Sequence, residues 1–305
     1  MEKTEQIWLD GEFVPWDEAN VHVLTHTLHY GLGVFEGIRC YQTKNKKAAI
    51  FRLQEHVDRL FNSAIVLGID VPFSKKEIFT AIKLVVKQNK LKECYIRPIV
   101  FLGHNQMGLN PSGVDVRVAI AAWPWGTYLG DEGISRGIRV RISSFTRHHV
   151  NITMTRAKAC GYYINSILAK TEAIRDGYDE AILLDPQGYV SEGSGENIFL
   201  LSKNRLKTPS LSCSNLEGIT RDSVFDIAKH FKIKVEEGRI TRDELYLADE
   251  IFLTGTAAEI TPVREIDNHT IGNGKRGKTT ASIQKMFFEI VHGSHAKFNK
   301  WLSEV

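Results

Sequence analysis

The sequence predicts a mixed α/β chain, of α+β type, divided into two units. Three observations carry this. At 305 residues the chain exceeds the roughly 250–300 residues at which a single core stops growing. Hydrophobic residues at 43% and charged residues at 25% are the balance of a globular enzyme and argue against disorder. Strand-like and helix-like periods alternate from end to end.

Ile7–Val14 opens the chain as two short apolar-alternating runs around Asp10-Gly11, a hairpin signal. From Leu53 to Leu67 the residues Leu53, Val57, Leu60, Phe61, Ala64 and Leu67 recur at helical spacing, and Arg59 flanks that buried face. Ser74-Lys75-Lys76-Glu77 is a capping box that starts a second helix over Ile78, Ala81, Ile82 and Val85. Cys94–Leu102 reads as a strand, and its period of two points Tyr95 and Arg97 the same way. Val116–Ala122 is another strand, and the breaker-rich Trp123–Gly133 stretch that follows marks a connection. The expected organisation is a small N-terminal α/β domain over 1–122, an interdomain loop over 123–136 and a large C-terminal domain over 137–305. In the second half, strands at Gly137–Ser143, Ala181–Leu184, Asn197–Leu201 and Glu250–Leu253 alternate with helices near 160–176, 220–231 and 279–291.

The net charge of +3 is spread along the chain, and the basic runs at 44–47 and 275–278 are short and lack interleaved aromatics. Nucleic acid is therefore not an expected partner. Cys40, Cys94, Cys160 and Cys213 show neither a C-x-x-C nor a ligand spacing. Free thiols in a reducing cytoplasm are expected, and no metal. The first residues are polar and no apolar run reaches the ~18 residues that span a bilayer, so membrane insertion is not expected.

Four local features carry chemistry. Lys158 lies in a stretch with few charges that leads into an apolar helix; a desolvated amine there can attack a carbonyl and form a Schiff base. Taken alone, it reads as a solvated lysine. Glu192 precedes a glycine-rich turn and could face a pyridine nitrogen, although by itself it reads as an exposed hairpin carboxylate. Leu216–Asp222 opens a helix whose free amides form a phosphate site. Gly255–Pro262 is a tight turn of small residues after a strand, which a ligand's backbone contacts or a plain chain reversal explains equally well.

Together these motifs resemble the branched-chain aminotransferases of the D-amino-acid-aminotransferase-like class, fold type IV of the pyridoxal-phosphate enzymes. The resemblance runs from about Ile7 to Phe288. It is carried by His29-Tyr30-Gly31 with Val34–Arg39, Arg52-Leu53 with His56 and Arg59-Leu60, Tyr95–Pro98, Pro124–Gly126, Ala157–Ala159, Ser191–Gly193, Gly218–Arg221 and Gly255–Glu259. It implies a two-domain fold with pyridoxal 5′-phosphate as cofactor, and reversible transfer of the amino group of Leu, Ile or Val to 2-oxoglutarate through an internal aldimine on Lys158. By the same resemblance Glu192 pairs with the pyridine nitrogen and Tyr163 with the phenolic oxygen. Arg59, the amides of Ile219 and Thr220, and Thr256 hold the phosphate. Substrate falls to Tyr30, Phe35, Gly37, Arg39, Tyr95, Trp125 and Tyr128, with Thr256, Ala257 and Ala258 on the α-carboxylate and Arg97 on a γ-carboxylate. The family's oligomers imply a homodimer or a hexamer built as a trimer of dimers. Cys160 and Tyr162 stand where relatives often carry glycine and asparagine.

Competing readings are a D-amino-acid aminotransferase, a 4-amino-4-deoxychorismate lyase, and a silent binder on the same fold. The Tyr95-x-Arg97 pair and the Phe35–Arg39 run favour the branched-chain member. Gly272–Thr279 also fits the phosphate-loop pattern G-x-x-x-x-G-K-[ST] of nucleotide hydrolases. Such a loop must follow a buried apolar strand, whereas Glu265–Thr270 reads as a polar hairpin.

Overall fold

In the computed structural model, which describes residues 2–126 and 130–305, the chain runs β1 (Gln6–Leu9), β2 (Glu12–Pro15), α1 (His26–Tyr30), β3 (Gly33–Phe35), β4 (Ile38–Gln42), β5 (Ala48–Phe51), α2 (Leu53–Val66), α3 (Lys75–Gln88), β6 (Cys94–Leu102), β7 (Val116–Trp123) and α4 (Gly130–Arg136). It continues as β8 (Ile138–Thr146), α5 (Tyr163–Arg175), β9 (Glu180–Leu184), β10 (Val190–Gly193), β11 (Asn197–Ser202), β12 (Arg205–Pro209), α6 (Ile219–His230), β13 (Val235–Gly238) and α7 (Arg242–Tyr246). The last elements are β14 (Glu250–Gly255), β15 (Glu259–Ile266), β16 (His269–Thr270), α8 (Lys278–Val291) and β17 (Leu302–Glu304).

The first compact unit comprises 1–126, 157–162 and 289–305. Its antiparallel sheet has the order β17-β5-β4-β6-β7-β1-β2, with β3 also on β6. The opening hairpin turns through Asp10 (φ +50°) and Gly11 (φ +104°), the positive pair that a two-residue turn requires. One sheet face is closed by α2 and α3. Leu53, Val57, Leu60 and Ala64 of α2 and Ile78, Ala81, Ile82 and Val85 of α3 pack on Ile38, Cys40, Ile96, Val100 and Ile120. The capping box at Ser74 and Glu77 is formed. Strand alternation leaves Arg39, Tyr95 and Arg97 for the other face.

The second unit comprises 127–156 and 163–288. Its mixed sheet has the order β10-β9-β8-β15-β14-β11-β12-β13, with β16 on β15. β8 runs parallel to β9 and β15, and β12 parallel to β13. Ala169 and Ala173 let α5 approach Ala181 and Leu183 of β9 closely. Phe199 and Phe252 stack at 5.2 Å, with Phe225 of α6 edge-on to Phe199 at 6.0 Å.

This division differs from the expected split at 122 and 137. Residues 157–162 belong with the first unit because the Phe35 amide donates to the Lys158 carbonyl (3.1 Å) and the Gly161 amide to the Gly31 carbonyl (3.0 Å). The C-terminal residues belong there because β17 adds an edge strand to β5. Within the expected loop, α4 occupies Gly130–Arg136; Tyr128, assigned to substrate from the sequence, lies outside the described residues.

Candidate active site

In the first unit Lys158 is fixed through its backbone. Its amide donates to Ser63 Oγ (3.0 Å), and the flanking Ala157 and Ala159 are 3% and 1% exposed. Gly31 and Gly161 lie so close that a Cβ on Gly31 would sit 2.8 Å from Gly161 Cα, which explains glycine at both. The chain is pinned while the side chain stays half-buried, its Nζ 5.1 Å from the Phe35 ring centroid. Arg97 approaches the same ring at 4.6 Å, so two cations share one aromatic ring.

Arg97 donates through Nη2 to the Tyr95 hydroxyl (3.3 Å), as expected of side chains on one strand face. Its Nε is buried without a hydrogen-bond partner among the described residues, a donor suited to a carboxylate. Tyr95 is packed by Trp123 (5.3 Å) and Trp125 (5.2 Å). Gly37 makes room for it, because a Cβ at 37 would overlap the Tyr95 hydroxyl. Arg39, opposite Tyr95 in the ladder, stacks on Tyr41 (5.1 Å) and donates to the Gly126 carbonyl (3.3 Å). Tyr30 instead turns onto His26 (4.6 Å) and is 44% exposed, apart from the Phe35–Tyr95–Trp125 cluster.

Arg59 is held by a carboxylate that has no solvent access. Glu36 Oε1 accepts from Arg59 Nε (2.7 Å) and Oε2 from Nη2 (2.9 Å), and His56 Nδ1 reaches Oε2 at 2.8 Å. Burial alone would raise the Glu36 carboxyl, but Arg59 and His56 outweigh it and hold it well below the usual carboxylate range. Burial also lowers His56 despite the Glu36 charge. The imidazole is therefore neutral at neutral pH with its proton on Nδ1, and the guanidinium fork is fixed bidentately.

In the second unit Glu192 is 4% exposed, not a hairpin-surface carboxylate. A register shift between Val190 and Glu192 accompanies its inward turn. Arg147 Nη2 lies 2.8 Å from its Oε1. Its Oε2 accepts from the Leu216 amide (3.1 Å) and Asn197 Nδ2 (3.3 Å). Nearby Glu196 is pushed up to about 8, first by burial and then by the Glu180 charge.

The α6 N-terminus begins at Gly218 with no side-chain cap bond, which leaves the first amides to a ligand. Ile219 and Thr220 there are 7% and 4% exposed. Thr256, Ala257 and Ala258 turn β14 into β15, and Glu259 after them has φ +54°, a left-handed conformation costly for a non-glycine residue. Tyr163 opens α5, half-buried.

Residues 33–266 match the amino-transferase class IV family. The chain belongs to the class IV aminotransferases. A Pseudomonas aeruginosa protein named branched-chain-amino-acid aminotransferase is 55% identical over 295 residues, covering 97% of this chain and 95% of that one. The Escherichia coli branched-chain amino acid aminotransferase crystal structure superposes with a TM-score of 0.96 at 46% identity over 99% of both chains. The branched-chain amino acid aminotransferase of Thermobaculum terrenum, solved in its PLP-form, gives 0.94 at 34% identity over 100% of this chain and 99% of that one.

A class IV aminotransferase has no use for the phosphate-loop lookalike, and its geometry agrees. The residues before it form the β15–β16 hairpin, with Glu265 opposite Thr270. The α8 N-terminus is already occupied: Glu250 accepts from the amides of Thr279 (3.0 Å) and Thr280 (2.7 Å). A carboxylate stands where a nucleotide phosphate would have to bind.

Sequence reading missed Glu36, His56, Trp123, Arg147 and Asn197 as parts of these clusters. Trp123 had a usable signal, since pairing β6 with β7 puts it opposite Tyr95. His56 had one too, since it shares a strip of α2 with Arg59 at helical spacing, whereas Glu36, Arg147 and Asn197 find partners on elements that local periodicity cannot pair.

Proposed function

We propose that this class IV aminotransferase transfers amino groups between branched-chain L-amino acids and 2-oxoglutarate, with pyridoxal 5′-phosphate as cofactor. One observation carries the substrate reading: Arg97 and Lys158 share the Phe35 ring, beside Tyr95 and its tryptophans. An acidic and an apolar side chain can then be accommodated near one reactive amine.

The donor set fits the cofactor. There are a half-buried lysine amine, a buried ion-paired carboxylate, a helix N-terminus without a side-chain cap bond, and an arginine aligned by a bidentate carboxylate. When bound, the cofactor supplies an electron sink for the charge left at the amino acid's α-carbon. Lys158 would hold it through its amine and move the proton at the α-carbon, as nucleophile and as general acid and base. Glu192 holds a proton at the ring nitrogen, and Tyr163 donates to the phenolic oxygen. Arg59, the amides of Ile219 and Thr220, and the Thr256 hydroxyl bind the phosphate. The Tyr95 hydroxyl and the Thr256–Ala258 turn orient the α-carboxylate. Arg97 binds the γ-carboxylate of glutamate, while Phe35, Trp123 and Trp125 surround the branched side chain. Gly37 and Arg39 keep Tyr95 and the 124–126 segment in place.

The four cysteines are free thiols, which suits a cytoplasmic protein. No helix among the described residues is long and apolar enough to cross a membrane. The exposed Val21, Val23, Leu24, Leu28 and Tyr30 support a homodimer or a larger homo-oligomer.

The test is a panel of L- and D-amino donors with 2-oxoglutarate, together with borohydride reduction of the yellow protein. Turnover of L-leucine, L-isoleucine and L-valine, with the cofactor's mass fixed on a peptide containing Lys158, is expected. Turnover of D-alanine alone, or release of pyruvate from 4-amino-4-deoxychorismate, would favour the other readings on this fold.

A further inference from the structure

Asn197 has no assigned role, yet it touches both features of the second unit that a rigid cofactor would need at a set separation. Its Nδ2 donates to Glu192 Oε2 (3.3 Å) and to the Leu216 carbonyl (2.9 Å). The Leu216 amide returns a bond to the same Oε2 (3.1 Å). Two residues on, Gly218 caps α6, and a Cβ there would overlap the Asn197 carboxamide oxygen. The side chain is thus wedged between the carboxylate and the segment that begins the helix. It is 5% exposed, and its backbone is pinned in the ladder opposite Thr254. From the other side Arg147 holds Glu192 Oε1.

We propose that Asn197 is a positioning residue that sets the distance from the Glu192 carboxylate to the α6 N-terminus, so that a pyridine nitrogen and a phosphate on one rigid ligand are met at the same time. This rests on the reading that Glu192 takes the ring nitrogen and α6 the phosphate. The physical argument is one of preorganisation. Two weak half-contacts add up to tight binding only if the protein holds them at the ligand's own spacing. A carboxamide suits the task because it can donate to a carboxylate and a carbonyl from one rigid group. An aspartate of the same shape would bring a second negative charge to Glu192 and lose both donors.

The experiment measures ligand binding to cofactor-free protein by calorimetry. One probe, 4-deoxypyridoxine 5′-phosphate, presents both ends and cannot react with Lys158; the other, inorganic phosphate, presents one end. Asn197→Leu should weaken the two-ended probe by about 10- to 100-fold, as expected for loss of a buried hydrogen bond to a charged group, and change phosphate affinity by less than about threefold. Asn197→Ala, which is small and uncharged, should show the same asymmetry and decides the matter if the leucine variant does not fold. Equal weakening of both probes, or weakening of neither, would overturn the proposal, since a merely structural asparagine does not distinguish them. Glu192→Gln separates the two levels. If it leaves the two-ended probe unaffected, the underlying site reading fails; if it weakens that probe while both Asn197 variants do not, only the spacing role fails.

Discussion

Replacing Arg97 by leucine tests how one pocket takes both an acidic and a branched side chain. Arg97 is half-buried, with Nη2 on the Tyr95 hydroxyl and Nε buried without a hydrogen-bond partner among the described residues. With the γ-carboxylate role proposed for Arg97, an arriving substrate gains a charge-assisted bond to a donor that is already desolvated. Such pairs are worth about 2–5 kcal/mol when fully buried. Partial exposure places this one at the low end, about 2–3 kcal/mol, or roughly 30- to 150-fold in kcat/KM. For 2-oxoisocaproate the substitution removes no charge partner and adds apolar surface, so a change within about threefold is expected. Any disturbance of Tyr95 through the lost 3.3 Å contact would burden both acceptors alike and cancel in the ratio. The assay is kcat/KM for 2-oxoglutarate and for 2-oxoisocaproate, each in parent and Arg97→Leu. Equal losses for the two acceptors would refute the reasoning, because Arg97 would then serve the fold or the α-carboxylate common to both.

Three further outcomes are expected. Gly37→Ala forces a methyl into the space of the Tyr95 hydroxyl, and overpacking of this kind costs about 1–3 kcal/mol; kcat/KM should fall for every amino donor, and unaltered kinetics would show that Tyr95 does not depend on Gly37. Lys278→Ala, at an exposed position, should leave transamination within about threefold, since surface changes cost under ~0.5 kcal/mol. A hundredfold loss would restore a role to the phosphate-loop lookalike. Glu196, ordinarily near 4.5 and pushed up to about 8 in the fold, makes the folded protein bind a proton that the unfolded chain has released between those values. Its contribution is complete below about 4.5 and is lost as pH rises towards about 8. Glu196→Gln should therefore gain thermal midpoint relative to the parent at pH 8 compared with pH 5, and parallel pH profiles would contradict this.

Local physical rules in the sequence determined much of the chain. The Asp10-Gly11 hairpin, the Ser74 capping box, the shared face of Tyr95 and Arg97, and the polar hairpin before Gly272 each depend on residues a few positions apart, where backbone preference and periodicity act directly. The resemblance singled out Lys158 and Glu192, whose isolated readings as a solvated lysine and an exposed carboxylate were the bland ones. Only the tertiary structure decided what surrounds them. The Glu36–Arg59–His56 cluster, the fit of Gly37 to Tyr95, and the clamp of Arg147, Asn197 and Leu216 on Glu192 join partners on separate elements. Residues 157–162 join the first unit because their amides and carbonyls find partners at Gly31 and Phe35, more than a hundred positions earlier in the sequence. Such pairings are set by which buried polar groups must be satisfied once the sheets have closed, and no local period in the sequence encodes them.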